Sequence, residues 1–293
     1  MTTVSKTRSY EGNSEAIEAW NGVLFDKFVK FRDIVCGGLG PVGTEALRRH
    51  APAPGSRVLD VGCGFGDSTA EIAGLVGPAG EAVGIDAAAR FIELASSEVA
   101  QAGVGNARFM VADVQFDDLD GPYDYAFSRF GTMFFDSPVA ALRNVRSSLK
   151  DGSLFTMTVW RKKEDNAWLH DAELAVLDIV PLPPVTDQPT CGPGPFSMAG
   201  ADLVSTQLIA SGFGDVCFER YDTSICIGRN VAAAIECAMA LGPAGEIIRL
   251  AGDEGIARRP AVAAALEKIF ARFSRPDGVF GPASTWIVTA RAA

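Results

Sequence analysis

The sequence predicts an α/β protein whose sheet is doubly wound and mostly parallel. Short apolar segments alternate with helical patterns over five units, which is the arrangement that gives a parallel sheet covered on both faces. Three glycines at alternate positions follow the first apolar segment, in "RVLDVGCGFG" at 57–66. Because a glycine costs roughly 1 kcal/mol relative to alanine in a helix interior, we expect these glycines to form a turn.

The elements follow in chain order. Apolar residues spaced three and four apart predict an amphipathic helix over about 14–32. The predicted strands are 57–62, 81–86, 107–113, 123–128, 153–160, 215–227 and 283–291. The helices predicted between them include 88–102, 138–149 and 200–211. The last strand closes a sheet of seven.

Segments that do not fit the strand–helix alternation are assigned to a cap. The predicted core consists of 46–160, which binds the cofactor, then 200–228, and finally 279–293 as the last strand. The predicted cap consists of the N-terminal segment 1–45, the proline-rich insertion 161–199 and the helical insertion 229–278. We expect these three pieces to meet as one discontinuous helical cap.

Composition excludes several classes of function. The 293 residues are 48% apolar and carry a net charge of −10, and the acidic residues are dispersed, which disfavours a nucleic-acid partner. There is no apolar run of about 20 residues and no signal-peptide pattern, so we predict a cytoplasmic protein without a membrane span. The six cysteines form no C-x-x-C pair and only two histidines are present, so we predict no metal site.

The glycine turn has the spacing G-x-G-x-G at 62, 64 and 66. A dinucleotide fingerprint starting at Gly62 would need glycine at 67, where the chain has Asp67. A carboxylate at that helix N-terminus would repel a pyrophosphate, whereas a phosphate-free ligand with a cationic sulfonium would tolerate it. S-adenosylmethionine is such a ligand. Asp86 and Asp113 end the second and third predicted strands, where they are expected to accept hydrogen bonds from the ribose and from the adenine amino group.

At these residues the chain resembles the class I S-adenosylmethionine-dependent methyltransferases, and is similar to the ubiquinone/menaquinone C-methyltransferase group of small-molecule enzymes. The resemblance covers about 55–160 and rests on "VLDVGCGFG", "GIDAAARFIELA", "VADV", "YDYAFSRFGTMFF" and "LKDGSLFTMTVW". One departure is Asp151, where the family usually has proline. The resemblance implies a Rossmann-like seven-stranded sheet and S-adenosylmethionine as cofactor. The cap segments resemble the family only loosely, so the substrate does not carry over; we expect a small, largely apolar acceptor whose accepting atom (O, C or N) stays open.

The resemblance also implies site residues. Gly62 and Gly64 would let the backbone approach the methionyl part, and Asp60 would help to hold its amino group. The full implied cofactor set is Asp60, Gly62, Cys63, Gly64, Asp86, Ala87, Asp113, Val114 and Ser128. The residues expected to contact the acceptor are Trp20, Phe28, Arg129 and Met133. The protein is expected to be a monomer or a homodimer.

A base is needed only if the acceptor loses a proton on methylation. His170 is the candidate because histidine is the residue type best suited to act as a general base, and Asp171 and Glu173 compete with it. Two other functions stay open at this stage. One is a non-catalytic protein that binds S-adenosylmethionine, and the other is a nicotinamide-dependent oxidoreductase, which Asp67 opposes.

Overall fold

A single mixed sheet organises the protein, and the computed structural model describes it for residues 11–181 and 193–293. The proline-rich part of the predicted insertion, 182–192, and residues 1–10 of the predicted N-terminal cap segment lie outside the described residues. The strands are β1 (Arg57–Val61), β2 (Glu81–Asp86), β3 (Ala107–Val111), β4 (Tyr123–Arg129), β5 (Leu149–Trp160), β6 (Phe213–Gly228), β7 (Ser274–Arg275) and β8 (Gly278–Ala292).

The strand order confirms the predicted fold class. It reads β3-β2-β1-β4-β5-β8-β6, with the short β7 paired to β8. The first five strands run parallel, and β8 is antiparallel to both β5 and β6. The eighth strand was not predicted because β7 has two residues, too few to show a period, and pairs across a tight turn at 275–278.

The helices are α1 (Glu11–Ala19), α2 (Phe25–Lys30), α3 (Arg32–Arg49), α4 (Asp67–Val76), α5 (Ala89–Gln101), α6 (Pro138–Ser147), α7 (Ala167–Leu177), α8 (Ala201–Ala210), α9 (Val231–Ala238), α10 (Gly242–Leu250), α11 (Gly252–Ala257) and α12 (Arg259–Ala271). A π-helical turn at Trp20–Leu24 joins α1 to α2. Among the described residues no single helix is long and apolar enough to cross a membrane; only α9 and α10, bent by 53° to each other, meet that criterion as a pair.

The prediction of one helix over 14–32 is wrong. The helical path is interrupted at Gly22, whose backbone (φ −109°, ψ −113°) is not helical, and again at Phe31. The following helix α3 was not predicted because "CGGLGPVG" contains four glycines and a proline, which are poor helix formers. Its packing against the sheet outweighs these propensities, and it continues to Arg49, past the predicted segment boundary at 45.

Alternate residues of the central strands cover the two faces of the sheet. On β1, Leu59 and Val61 belong to the larger apolar cluster, whereas Val58 belongs to the cluster that Leu47 of α3 and Ile72 of α4 share on the opposite face. This division follows from the period of two in a strand. The central strands are therefore buried on both faces, as a parallel sheet requires.

The two cap insertions pack on each other. Helix α7 from the first insertion lies against α10 and α12 from the second. Trp168 of α7 also donates its indole N–H to the carbonyl of Pro282 at 2.9 Å, which ties the cap to β8. Lys30 of α2 forms an ion pair with Glu236 of α9 at 2.5 Å, so the N-terminal segment contacts the same cap.

We predict that Gly84→Ala destabilises the protein by roughly 1–3 kcal/mol, the usual cost of overpacking a core. A Cβ at Gly84 in β2 would lie 2.7 Å from Oγ1 of Thr69 and 2.8 Å from the ring of Phe109. In the matched control, Gly74→Ala on α4, the new methyl meets no atom within 4 Å. That change should raise stability by up to about 1 kcal/mol. Thermal denaturation of both variants tests this, and equal Tm values would contradict it.

Candidate cofactor and active site

The glycine turn follows the carboxyl end of β1. Its three glycines have positive φ angles, which residues with a side chain rarely adopt. The φ angles are +67° at Gly62, +53° at Gly64 and +78° at Gly66. The N–H groups of Gly62 and Cys63 both donate to the carbonyl of Ile85, at 2.8 and 3.0 Å, which anchors the turn to the end of β2. The turn therefore lies at the carboxyl ends of two adjacent strands, where doubly wound sheets bind ligands.

The three glycines differ in what surrounds them. A Cβ on Gly62 would lie 3.1 Å from the Cα of Gly131, and a Cβ on Gly66 would lie 2.8 Å from the ring of Phe109. A Cβ on Gly64 would meet no atom within 4 Å. Gly62 and Gly66 thus permit close packing of the protein, whereas the space beside Gly64 is open to a ligand that approaches the backbone.

Asp60, the fourth residue of β1, is buried beneath this turn. Its Oδ2 accepts hydrogen bonds from the hydroxyls of Ser68 at 2.7 Å and Thr69 at 2.6 Å. Its Oδ1 is buried and has no hydrogen-bond partner within the described ranges. Burial raises the pKa of Asp60 to about 6, and the two hydroxyls only partly oppose this shift. The orphaned oxygen suits a cationic donor from a ligand.

Asp86, the last residue of β2, is joined to the turn by backbone hydrogen bonds. Its Oδ2 accepts from the N–H of Gly64 at 3.1 Å and its Oδ1 from the N–H of Ala88 at 2.9 Å. Burial raises the pKa of Asp86, while these N–H groups act in the opposite direction. Ala87, which lies between Asp86 and Ala88 in the sequence, is half-buried. Since each carboxylate oxygen has two lone pairs, Asp86 keeps acceptor capacity for a ligand.

Asp113 and Val114 lie in the turn after β3, which ends earlier than predicted, at Val111. The Oδ1 of Asp113 accepts from both the backbone N–H of Gln115, at 3.0 Å, and its side-chain amide, at 3.2 Å. The side chain of Val114 is buried in the core. Gln115 was not singled out from the sequence, but its Oε1 also accepts from the N–H of Ser137 at 2.6 Å and joins this turn to α6.

Residues at the end of β4 and in the loop after it make internal contacts. The hydroxyl of Ser128 donates to the carbonyl of Val61 at 2.8 Å, and Met133 is fully buried in the core. Arg129 forms an ion pair with Asp67, with Nη1 2.5 Å from Oδ2, and only 12% of its side chain is exposed. The structure thus gives Arg129 and Met133 protein partners where acceptor contacts were expected. For Arg129 the reason is that α3, which was not predicted, covers it.

From the sequence, Asp67 was interpreted as a negative charge at a helix N-terminus that repels a pyrophosphate, and the structure gives this carboxylate a cationic partner. Arg129 lies against it, and this charge outweighs burial to hold the pKa of Asp67 below its usual range. The carboxylate at the N-terminus of α4 is therefore half of an ion pair. Its repulsion of a pyrophosphate is accordingly weaker than the sequence alone suggested.

Aromatic residues of the N-terminal segment cover the turn. Trp20 packs edge-on against Phe28 at 5.1 Å and against Phe134, after β4, at 5.0 Å between ring centroids. Phe91 of α5 lies 5.0 Å from Phe65 in the turn and 6.3 Å from Phe28. Trp20 and Phe28 thus lie between the turn and the loop after β4. Phe65 and Phe91 were missed because nothing in the sequence indicates that α1 and α2 fold back over them.

The predicted base and its competitors lie on α7 in the cap. Nδ1 of His170 is buried and has no hydrogen-bond partner among the residues that the structure describes. Asp171 forms an ion pair with Arg272 at 2.8 Å, and Glu173 forms one with Lys163. Helix α7 packs against α10, α12 and β8. Within 11–181 and 193–293 no cluster of three or more His, Cys, Asp or Glu residues has the arrangement of a metal site.

Comparison with known proteins agrees with this geometry. A family model described as methyltransferase domain matches residues 52–179. The chain is 32% identical over 124 residues to aklanonic acid methyltransferase DauC of Streptomyces sp. strain C5, which covers 41% of this chain and 56% of DauC. It is 31% identical over 129 residues to the ubiquinone/menaquinone biosynthesis C-methyltransferase UbiE of Ectopseudomonas mendocina, covering 43% of this chain and 50% of UbiE.

The part of the chain that matches the methyltransferase-domain model is thus residues 52–179. The matched regions span about half the length of the two relatives. The similarity in fold covers more of the chain than these sequence matches do. The crystal structure of protein BH2331 from Bacillus halodurans C-125 superposes with a TM-score of 0.54 at 13% identity, and the superposition covers 85% of this chain and 97% of that one. The domain holds the glycine turn, Asp60 and Asp86, whereas Trp20 and Phe28 lie outside the matched region.

We predict that Asp60→Asn removes a pH-dependent contribution to stability in the ligand-free protein. Because the pKa of Asp60 is raised to about 6 on folding, its protonated form stabilises the fold below about pH 4, and that contribution is lost as pH rises through 6. The free energy of unfolding of the variant minus that of the wild type should increase by about 2 kcal/mol between pH 4 and pH 7. Urea unfolding at both pH values measures this difference, and a difference independent of pH would refute it.

Proposed function

We propose that this protein transfers a methyl group from S-adenosylmethionine to a small, largely apolar acceptor. The observation that carries the proposal is the open backbone at Gly64, flanked by the orphaned Oδ1 of Asp60 and by the carboxylate of Asp86. These groups match a ligand that carries a cationic amine and a ribose but no phosphate. The matched domain and the names of the relatives support the same reaction class.

The residues fit the cofactor in the following way. Asp60 would accept from the methionyl amine, since its Oδ1 is buried without a partner. The backbone of Gly62, Cys63 and Gly64 would border the methionyl chain, and Asp86 would accept from the ribose hydroxyls. The residues proposed to border the adenine ring and the sulfur are Ala87, Asp113, Val114 and Ser128.

The acceptor is proposed to lie beside the aromatic cluster that Trp20 and Phe28 form with Phe134 of the loop after β4. Trp20 contacts both Phe28 and Phe134, so apolar side chains join the N-terminal segment to this loop. By their names, DauC methylates aklanonic acid and UbiE acts in ubiquinone and menaquinone biosynthesis, which supports an organic acceptor with a large apolar part. The accepting atom stays open, and the cytoplasmic location and the monomeric or homodimeric state stay predictions.

S-adenosylmethionine, when bound, would supply an electrophilic methyl group, which passes to the acceptor atom as its bond to sulfur breaks and S-adenosylhomocysteine leaves. The chain's own residues then contribute alignment and exclusion of water, which are the main sources of acceleration for such a displacement. Trp20 and Phe28 pack in one apolar cluster with Phe65 of the turn and Phe91 of α5, and this cluster would exclude water from the turn. No observation in the described part of the structure specifically favours either alternative function, a non-catalytic binding protein or a nicotinamide-dependent oxidoreductase.

We predict that S-adenosylhomocysteine stabilises the protein by about 2.7 kcal/mol at a hundredfold excess over its Kd, and that NAD does not. The physical reason is the fit of an amine and a ribose to Asp60 and Asp86 without a phosphate site. A thermal-shift titration with each ligand measures this. A clear shift with NAD, or none with S-adenosylhomocysteine, excludes the proposed cofactor, whereas binding without turnover in an acceptor screen would favour the non-catalytic alternative.

Asp86→Ala should weaken S-adenosylhomocysteine binding by roughly 1.5–3 kcal/mol, because charge-assisted hydrogen bonds to the ribose are lost. Isothermal calorimetry on the folded variant gives the value. Asp151→Ala is the matched control, since this exposed carboxylate pairs with Arg146 near the start of β5. Equal affinities of the two variants would remove Asp86 from the site.

We propose His170 as the general base for an acceptor that must lose a proton. Asp171 and Glu173 are held in ion pairs, whereas the buried Nδ1 of His170 has no described partner. With an acceptor identified by release of S-adenosylhomocysteine, His170→Ala should lower turnover about a hundredfold. Cofactor affinity should not change. Near-normal turnover of this variant would make His170 a packing residue.

A further inference from the structure

Arg129 and Asp67 form an ion pair beside the glycine turn, and the function proposed above gives it no role. Nη1 of Arg129 lies 2.5 Å from Oδ2 of Asp67, with 12% of the arginine side chain and 33% of the aspartate side chain exposed. The thiol of Cys36 lies 3.7 Å from the other carboxylate oxygen of Asp67. Both oxygens of Asp67 therefore have protein partners, on two different elements.

The pair joins the two sides of the candidate site. Asp67 is the first residue of α4 and directly follows Gly66 of the turn, whereas Arg129 is the last residue of β4 and directly precedes the loop at 130–134. The two sides also touch at Gly62, where a Cβ would lie 3.1 Å from the Cα of Gly131. The ion pair and this close backbone contact are thus two independent links between the turn and the loop.

Helix α3 keeps Arg129 in place. A Cβ at Gly43 would lie 2.8 Å from Cδ of Arg129, and one at Gly40 would lie 3.7 Å from its Nη1. The glycines let the helix pass directly over the arginine. The stem of Arg129 is thus packed against α3 while its guanidinium pairs with Asp67.

The spacing between these two sides matters for the proposed reaction. The turn would hold the cofactor, and the loop carries Phe134, which contacts Trp20 at 5.0 Å where the acceptor is proposed to lie. Methyl transfer requires the two reactants in line and close together, so an error of about 1 Å costs on the order of a hundredfold in rate. A purely structural ion pair would add stability without setting this spacing.

We propose that Arg129 is a positioning residue, which holds the glycine turn at a fixed spacing from the loop after β4 through its ion pair with Asp67. This inference rests on the proposed function, in which the glycine turn binds S-adenosylmethionine. It also changes the expected role of Arg129 from a contact to the acceptor to a support for the cofactor turn.

The test measures S-adenosylhomocysteine affinity by calorimetry, and Tm separately, for the full chain and its variants. Arg129→Met should weaken binding at least about tenfold, the scale of a lost charge-assisted hydrogen bond, and Arg129→Lys should stay within about threefold of the wild type. The double variant, Arg129→Met with Asp67→Asn, removes both charges of the pair, so neither side chain is left as an unpaired charge. It should recover much of the Tm but not the affinity.

Arg57→Met is the matched control. Arg57 opens β1 at the opposite end of the sheet and pairs with Glu81 at 2.7 Å, with 28% of its side chain exposed. Its loss should lower Tm and leave affinity within about twofold of the wild type.

The inference is overturned if Arg129→Met binds like the wild type, or if the double variant recovers full affinity. Should Arg129→Met fail to fold, Asp67→Asn decides, since unchanged affinity in that variant also overturns the inference. A wild-type protein that does not bind S-adenosylhomocysteine would instead refute the proposed function.

Discussion

The buried carboxylate of Asp60 is the constraint on which the candidate site depends. It lies on the central strand β1 and accepts hydrogen bonds from Ser68 and Thr69 in the first turn of α4. These bonds hold the helix to the strand across the glycine turn between them. Removing a carboxylate from water is unfavourable unless its oxygens are paired, and here one oxygen is paired by the protein and the other has no described partner. The free-energy cost of burying Oδ1 of Asp60 is therefore not offset by a protein hydrogen bond, and a ligand that binds there would supply the missing donor.

The second organising feature is the close approach of α3 to the sheet. Its glycines allow backbone to lie over Arg129 and over the end of β6, where a Cβ at Gly38 would be 3.3 Å from the carbonyl oxygen of Cys226. The helix forms one wall of the site, since Arg32 near its start pairs with Glu98 of α5 and lies over the ring of Phe65 at 4.6 Å. Packing of this kind outweighs the low helix propensity of glycine.

Much of the fold and the cofactor side of the site could be predicted from the sequence because both rest on local patterns. A buried parallel strand is a short apolar run, and the turn needs glycine where φ is positive, so 57–66 is readable without any tertiary information. The N-terminal segment was less predictable. The stripe from Trp20 to Phe31 indicates an apolar helix face, but it does not say that the helix breaks at Gly22 or that Trp20 packs against Phe134, 114 positions away along the chain.

By itself the sequence determined the doubly wound sheet, the position of the glycine turn and the acidic residues at the ends of β1 and β2. These depend on residue type, period and spacing, which are properties of short stretches of chain. Only the tertiary structure decided how charged side chains are paired. Asp67 looked like a free charge and Arg129 like a ligand contact, yet each neutralises the other because α4, β4 and α3 meet there. The partner of a charge is set by elements distant in sequence, and Coulomb energy depends on their separation in space rather than on spacing along the chain.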